Sequence, residues 1–190
     1  MKELFIVEGK SAASTIRQAM HKLTQDVLAC QGKLINVEKA SFAKVLANPS
    51  CQKIFQILAC GIKKDCKPDK LVFSQILILT DPDFDGTHAR LLLLKLFQHY
   101  LNPLIQEGLV SIITPPLFRI AELHSTHYQY AWDEEQRFLL LKNMADSDNI
   151  EITRFKGVAQ FSKIECYKLL LDPNSRKQII LEMTKDISID

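Results

Sequence analysis

An apolar run that stops at three alternating carboxylates constrains this chain more than any other feature: Ile76-Leu77-Ile78-Leu79-Thr80-Asp81-Pro82-Asp83-Phe84-Asp85-Gly86. The run is short and rich in β-branched and leucine residues, the pattern of a strand buried on both faces of a parallel sheet. Pro82 biases Asp81 toward extended backbone. Period two then sets Asp81, Asp83 and Asp85 on one side. Gly86 frees the chain to turn, and Thr87 is placed to cap the apolar helix that follows. Three carboxylates this close repel one another unless a cation, a proton or solvent intervenes. A donor set of oxygens alone suits magnesium. Taken by itself, the same pattern also reads as an acidic turn whose Asp side chains cap backbone groups.

A second stretch repeats the design. Leu4-Phe5-Ile6-Val7-Glu8-Gly9-Lys10-Ser11 is an apolar strand, an acid, a glycine and a helix start. Ligands of parallel α/β sheets collect beyond the carboxyl ends of the strands. If the two strands are neighbours, Glu8 faces the Asp cluster, and four carboxylates can hold one or two Mg2+. A nucleotide P-loop is excluded by spacing, because the glycine it requires five residues before Gly9 is Leu4.

At this point the chain resembles a known family. Glu8-Gly9-Lys10-Ser11-Ala12, Gly32-Lys33-Leu34-Ile35-Asn36-Val37-Glu38-Lys39-Ala40 and Thr80-Asp81-Pro82-Asp83-Phe84-Asp85-Gly86 are similar to the Toprim region of type IIA topoisomerase B subunits, those of gyrase and topoisomerase IV. Gly61-Ile62, Thr114-Pro115-Pro116-Leu117-Phe118 and Arg154-Phe155-Lys156-Gly157 resemble further motifs of those subunits, in the same order. The resemblance implies a Toprim fold: α/β, Rossmann-like, a parallel sheet flanked by helices, with a small α+β C-terminal extension. The expected division is a metal-binding domain over 1–118 and a hairpin-plus-helices extension over 119–190.

The resemblance also implies roles. Glu8 and Asp81 hold one magnesium, Asp81 and Asp83 a second, and Asp85 supports the cluster. Glu8 is the catalytic residue, exchanging protons at religation. Lys33 and Asn36 lie against DNA; composition alone favours a solvated strand edge for that segment, and the resemblance reverses that reading. Such a module works on double-stranded DNA with an A subunit that carries the nucleophilic tyrosine. The chain's own Tyr100, Tyr128, Tyr130 and Tyr167 have no sequence connection to the acids. The family uses ATP, but its ATPase domain has no counterpart before Leu4, so a longer protein or a separate ATPase chain is expected to provide it.

Four departures stand out. Lys10 replaces an Asp, Ala13-Ser14 replaces Gly-Gly, Gln31 replaces a basic residue, and Val158-Ala159-Gln160 replaces Leu-Gly-Glu. Lys10 is expected to pair with an acid and compete with Mg2+. Two functions therefore stay open: a cleavage-core module, inactive alone, or a silent fragment that docks on the A subunit or DNA. Another kind of Toprim enzyme, a nuclease or primase, fits less well, because such proteins are not expected to share the Gly32–Ala40 stretch and Arg154–Gly157.

Composition bounds the rest. The 190 residues are 47% hydrophobic, enough for one good-sized core. A net charge of +2 offers no bulk attraction to nucleic acid, so any DNA contact must be local. No membrane span or secretory signal is read. The five cysteines form no Cys-x-x-Cys pair and read as reduced thiols of a cytoplasmic protein; the resemblance implies a bacterial, nucleoid-associated one. Helices are expected over 11–22, 41–47, 49–62, 89–101, 133–142 and 163–171. Strands are expected over 3–8, 109–113, 117–123, 128–132 and 179–183, besides the run at 76–79.

Overall fold

The computed structural model describes residues 1–32, 34–144 and 149–182. Its first sheet has the order β2-β1-β3-β4-β8. Strands β1 (Lys2–Glu8), β2 (Gln25–Cys30), β3 (Phe73–Leu79) and β4 (Val110–Ile113) run parallel. Strand β8 (Gln178–Ile180) closes the edge antiparallel to β4. Leu4 to Val7 and Ile76 to Leu79 are all fully buried, as continuous apolar runs require.

Period two divides these strands between two layers. Leu4, Ile6, Ile76 and Ile78 face helices α3 (Pro49–Leu58), α4 (Phe84–Tyr100) and α5 (Asn102–Gln106). Phe5, Val7, Leu77 and Leu79 face α1 (Gly9–Ala19), α7 (Lys163–Cys166) and the π-helical turn Tyr167–Leu171 that continues it. A short helix α2 (Phe42–Ala47) precedes α3. In α4, Leu92, Leu93, Leu96, Phe97 and Tyr100 are buried, which accounts for a helix with little polar face.

A second, antiparallel sheet has the order β6-β5-β7, built from β5 (Phe118–Glu122), β6 (Gln129–Ala131) and β7 (Ile150–Arg154). Helix α6 (Glu134–Lys142) lays Leu140 and Leu141 against its Phe118, Ile120 and Ala131. Asp133 caps α6, accepting from the Gln136 N–H at 2.7 Å.

Several local expectations are corrected. Leu23 is 81% exposed because α1 stops at Ala19. Ser11 lies inside α1, whose cap is Glu8, and Thr87 lies inside α4, whose cap is Asp83. The segment after Cys30 leaves the sheet and turns at 37–39, so it is not a strand edge. Helix α3 ends at Leu58, where Ala59 adopts a left-handed conformation. Strand β7 was not foreseen. Most of the polar linker over 144–149, and Met183, lie outside the described residues.

The C-terminal segment is tied to the first strand through Arg176. Its guanidinium, 2% exposed, donates to both Glu3 carboxylate oxygens, to the Leu171 carbonyl at 3.2 Å and to the Gln178 side-chain oxygen at 2.8 Å. Gln25 donates to the same Glu3 at 3.0 Å. Removing one partner of such a pair strands a charge out of water. Arg176→Ala should lower unfolding free energy by about 3 kcal/mol, read as a fall in urea midpoint with unchanged slope.

Candidate metal centre

Pairing of β1 with β3 sets Val7 opposite Leu79, so the two strands end together. Glu8 is the last residue of β1 and the N-cap of α1, with no side-chain cap bond of its own. Its carboxylate is not committed to the backbone. Beyond Leu79 come buried Thr80 and then Asp81. Glu8, Asp81, Asp83 and Asp85 all line one open cavity of about 350 Å3, together with Gly9, Lys10, Ser11, Ala12 and Ala159.

The three aspartates reach the cavity by different backbone routes. Asp83 is extended (φ −91°, ψ −177°) and accepts from the Gly86 N–H at 2.7 Å, capping α4. Asp85 sits in the first turn of that helix. Gly86 serves by close approach: a Cβ there would stand 2.2 Å from the Asp81 carbonyl oxygen. The glycine lets the first turn of α4 fold back over Asp81.

Asp81 is held from the far end of the chain. Its Oδ1 accepts from the Val158 N–H at 2.6 Å. Phe155, buried three residues earlier, stacks on Phe161 at 4.2 Å and packs in the same core as Val7 and Leu79. The Phe155 N–H donates to the Leu117 carbonyl at 2.9 Å, which joins the Arg154–Gly157 and Thr114–Phe118 stretches. The phenylalanine of the Arg-Phe-Lys-Gly tetrad is thus a core residue, and the turn after it reaches the acids. Sequence reading missed Gly157, Val158 and Ala159 as site residues; the glycine after Lys156 was the available signal.

The electrostatics follow from crowding. Burial, then Asp81, Asp83 and Asp85, raise the Glu8 carboxyl above its ordinary range, and His88 opposes the shift. His88 itself is exposed on the first turns of α4. Burial raises Asp81 as well, the Val158 N–H opposes it, and Asp83 adds to it. Two of the four carboxylates spend an oxygen on a backbone N–H. Among the described residues no three His, Cys, Asp or Glu side chains are drawn to coordination distance. The donor set is nonetheless all oxygen and strongly anionic, which fits a hard divalent cation. Lys10 lines the cavity and is exposed, and among the described residues it makes no ion pair with an acid, against expectation.

The expected DNA residues lie elsewhere. Lys33 is outside the described residues. Asn36 is not among the residues lining the acid cavity. Its side-chain oxygen accepts from the Glu38 N–H at 3.0 Å, an Asx turn. Glu38 pairs with Lys95 and, at 3.8 Å, His99 of α4, which anchors this turn. Because β2 is parallel to β1 and pairs Cys30 with Glu8, the segment carrying Asn36 leaves from the same sheet edge as the acids. None of the four tyrosines lines the cavity: Tyr100 stacks on Phe42 at 5.9 Å, and Tyr130 donates to Glu165 at 2.9 Å. All five cysteines are free and buried, with the Cys30, Cys66 and Cys166 thiols pushed up to about 12 by burial. No helix among the described residues is long and apolar enough to cross a membrane.

Comparison with known proteins agrees with this geometry. Residues 3–114, spanning β1 to β4, match the Toprim domain family. The DNA gyrase B subunit of Metamycoplasma arthritidis is 37% identical over 93% of this chain and 27% of its own length. That of Thermotoga maritima is 39% identical over 93% of the chain and 27% of its own length. The DNA topoisomerase 4 B subunit of Rickettsia conorii is 34% identical over 99% of the chain and 28% of its own length. The chain therefore spans little more than a quarter of these relatives. On its sheet, its acid-lined strand ends and these matches, the chain belongs to the Toprim family, with the B subunits of gyrase and topoisomerase IV as its relatives.

Proposed function

We propose that this chain is the metal-bearing cleavage module of a type IIA topoisomerase B subunit. It acts on double-stranded DNA together with an A subunit that carries the nucleophilic tyrosine. The observation that carries this reading is the convergence of Glu8 with Asp81, Asp83 and Asp85 on one cavity at the ends of paired strands. Glu8 and Asp81 would hold one Mg2+ and Asp81 and Asp83 a second, with Asp85 adding negative charge beside them. Bound Mg2+ supplies positive charge to the phosphate oxygens during phosphoryl transfer. Glu8, whose raised carboxyl holds its proton more tightly than an ordinary glutamate does, is the group suited to take up and return a proton. Asn36 and Lys33 would contact the DNA backbone beside the acids.

A silent docking fragment is the second reading, and Lys10 favours it. A lysine on the cavity wall puts a resident cation beside the acids. The two readings part in a cleavage assay with Mg2+ and a purified A subunit from the same source. The expected result is a covalent protein–DNA product that disappears with chelator. No product, from a chain that folds and binds the A subunit, would leave the docking role. Glu8→Gln should lower cleavage at least a hundredfold, the scale on which removal of an acid–base group acts, with the fold intact.

Burial of two acids beside their neighbours gives a second expectation, without DNA. Glu8 and Asp81 have raised carboxyls, so the folded state holds their protons more tightly than the unfolded chain does. Their contribution to stability is complete below the ordinary carboxylate range and is lost as pH rises through the raised values. At neutral pH without divalent cations, Glu8→Gln should therefore raise the melting temperature, by roughly 2–4 °C for each kcal/mol relieved in a domain of this size. The gain should shrink as pH falls to the ordinary glutamate value of 4.5. Millimolar Mg2+ should stabilise the natural chain more than the variant, which keeps only the Asp81–Asp83 pair, as differential scanning calorimetry would report.

A further inference from the structure

The turn that holds Asp81 belongs neither to the acid-bearing strands nor to their helices. Gly157 and Val158 lie 76 and 77 positions beyond Asp81 in the chain, after the second sheet. The Val158 N–H donates to Oδ1 at 2.6 Å, and among the described residues Oδ2 has no hydrogen-bond partner. Gly157 lies over the same carboxylate. A Cβ there would stand 3.0 Å from Oδ2 and 3.1 Å from both Cγ and Oδ1. The glycine is not required by its backbone, which is extended at φ −169° and ψ 163°. It is required by what it touches. Val158 is fully buried among Val7, Leu79, Phe155 and Phe161, so the donor is fixed in a packed core and not on a free loop.

We infer that the Gly157–Val158 turn is the positioning element for Asp81, fixing one carboxylate oxygen so that the other is presented to a divalent cation. The inference rests on the metal reading above. Hydrogen bonds behind a ligating carboxylate orient it, and losing such a partner weakens metal binding by about 10–100-fold. Here the orienting group is a main-chain N–H, so the side chain at 158 is free to vary provided it fills the core. The residue at 157 is not free, because any Cβ displaces the carboxylate by a few tenths of an ångström.

Two variants separate positioning from packing. Gly157→Ala keeps the core side chains and adds a methyl group whose three nearest neighbours are all atoms of the Asp81 carboxylate. Val158→Ala keeps the N–H and removes two buried methyls. The measurement is calorimetric titration of the whole chain with Mg2+, paired with a urea midpoint. The expected result is a loss of Mg2+ affinity of about tenfold or more for Gly157→Ala with near-natural stability. Val158→Ala should show the converse: lower stability and natural affinity. Equal Mg2+ affinity in the natural chain and Gly157→Ala would overturn the positioning role and leave the metal reading standing. A natural chain that takes up no Mg2+ at millimolar concentration would overturn both. Loss of cooperative unfolding in Gly157→Ala would also overturn it, since a clash confined to one carboxylate does not unfold a domain.

Discussion

Four acids brought to one cavity at the ends of paired strands are the constraint around which this structure is arranged. Parallel pairing of β1 with β3 ends both strands at one level, and the chain places an acid at each end. A sheet edge could satisfy that crowding by turning the side chains to solvent. Instead Asp81 is half-buried, Asp83 is spent in part on capping α4, and Gly86 admits the first helical turn over the Asp81 carbonyl. The burial that raises Glu8 and Asp81 is a cost the fold carries in isolation. Such costs concentrate at sites where a ligand offsets them.

Besides the pairing of β8 with β4, side chains fasten the C-terminal third of the chain to both ends of the first sheet's central strands. At the carboxyl end of the strands, the Val158 N–H meets Asp81. At the amino end, Arg176 meets Glu3. Between them α7 and the π-helical turn cover Phe5, Val7, Leu77 and Leu79. The apolar layer supplies most of the stabilisation, at about 25 cal/mol per Å2 of area removed from water. It does not by itself fix where the covering segment stops along the strands. The two polar fastenings set that register, one of them at the proposed metal site. A change in the second sheet can therefore reach Asp81 through Phe155, which is bonded to Leu117 and packed beside Val158.

Much of this was legible in the sequence. Leu4–Glu8 and Ile76–Leu79 announce buried parallel strands through unbroken apolar runs, and the leucine-rich α4 announces its burial in the same way. Asp133 announces a helix start. What was not legible depends on partners distant in the chain. The capping of α4 falls to Asp83 because the helix begins three residues before Thr87, so that its first turn can close over Asp81. Leu23 looks like a fourth face residue of α1 only if the helix continues past Ala19. Strand β7 is the exception: Ile150-Glu151-Ile152-Thr153 alternates with period two, a strand signal that went unread, and β5 pairs with it along its whole length. Phe155 reads only as the aromatic of the Arg-Phe-Lys-Gly motif, since no local signal separates an aromatic that stacks on a base from one that stacks on Phe161.

Charge balance at the cavity shows how far the protein alone meets the demands of its acids. Helices α1 and α4 both begin at its rim, at Gly9 and Phe84. Each N-terminus offers roughly half a positive charge. Lys10 contributes one more from the cavity wall. Against four carboxylates that leaves a deficit of roughly two charges on the same half-charge reckoning, the charge of one divalent cation. Burial, and after it the neighbouring acids, keep Glu8 and Asp81 raised despite two helix termini beside them. Lys10 is exposed and unpaired with these acids among the described residues, so its long side chain can withdraw to water when a better cation arrives.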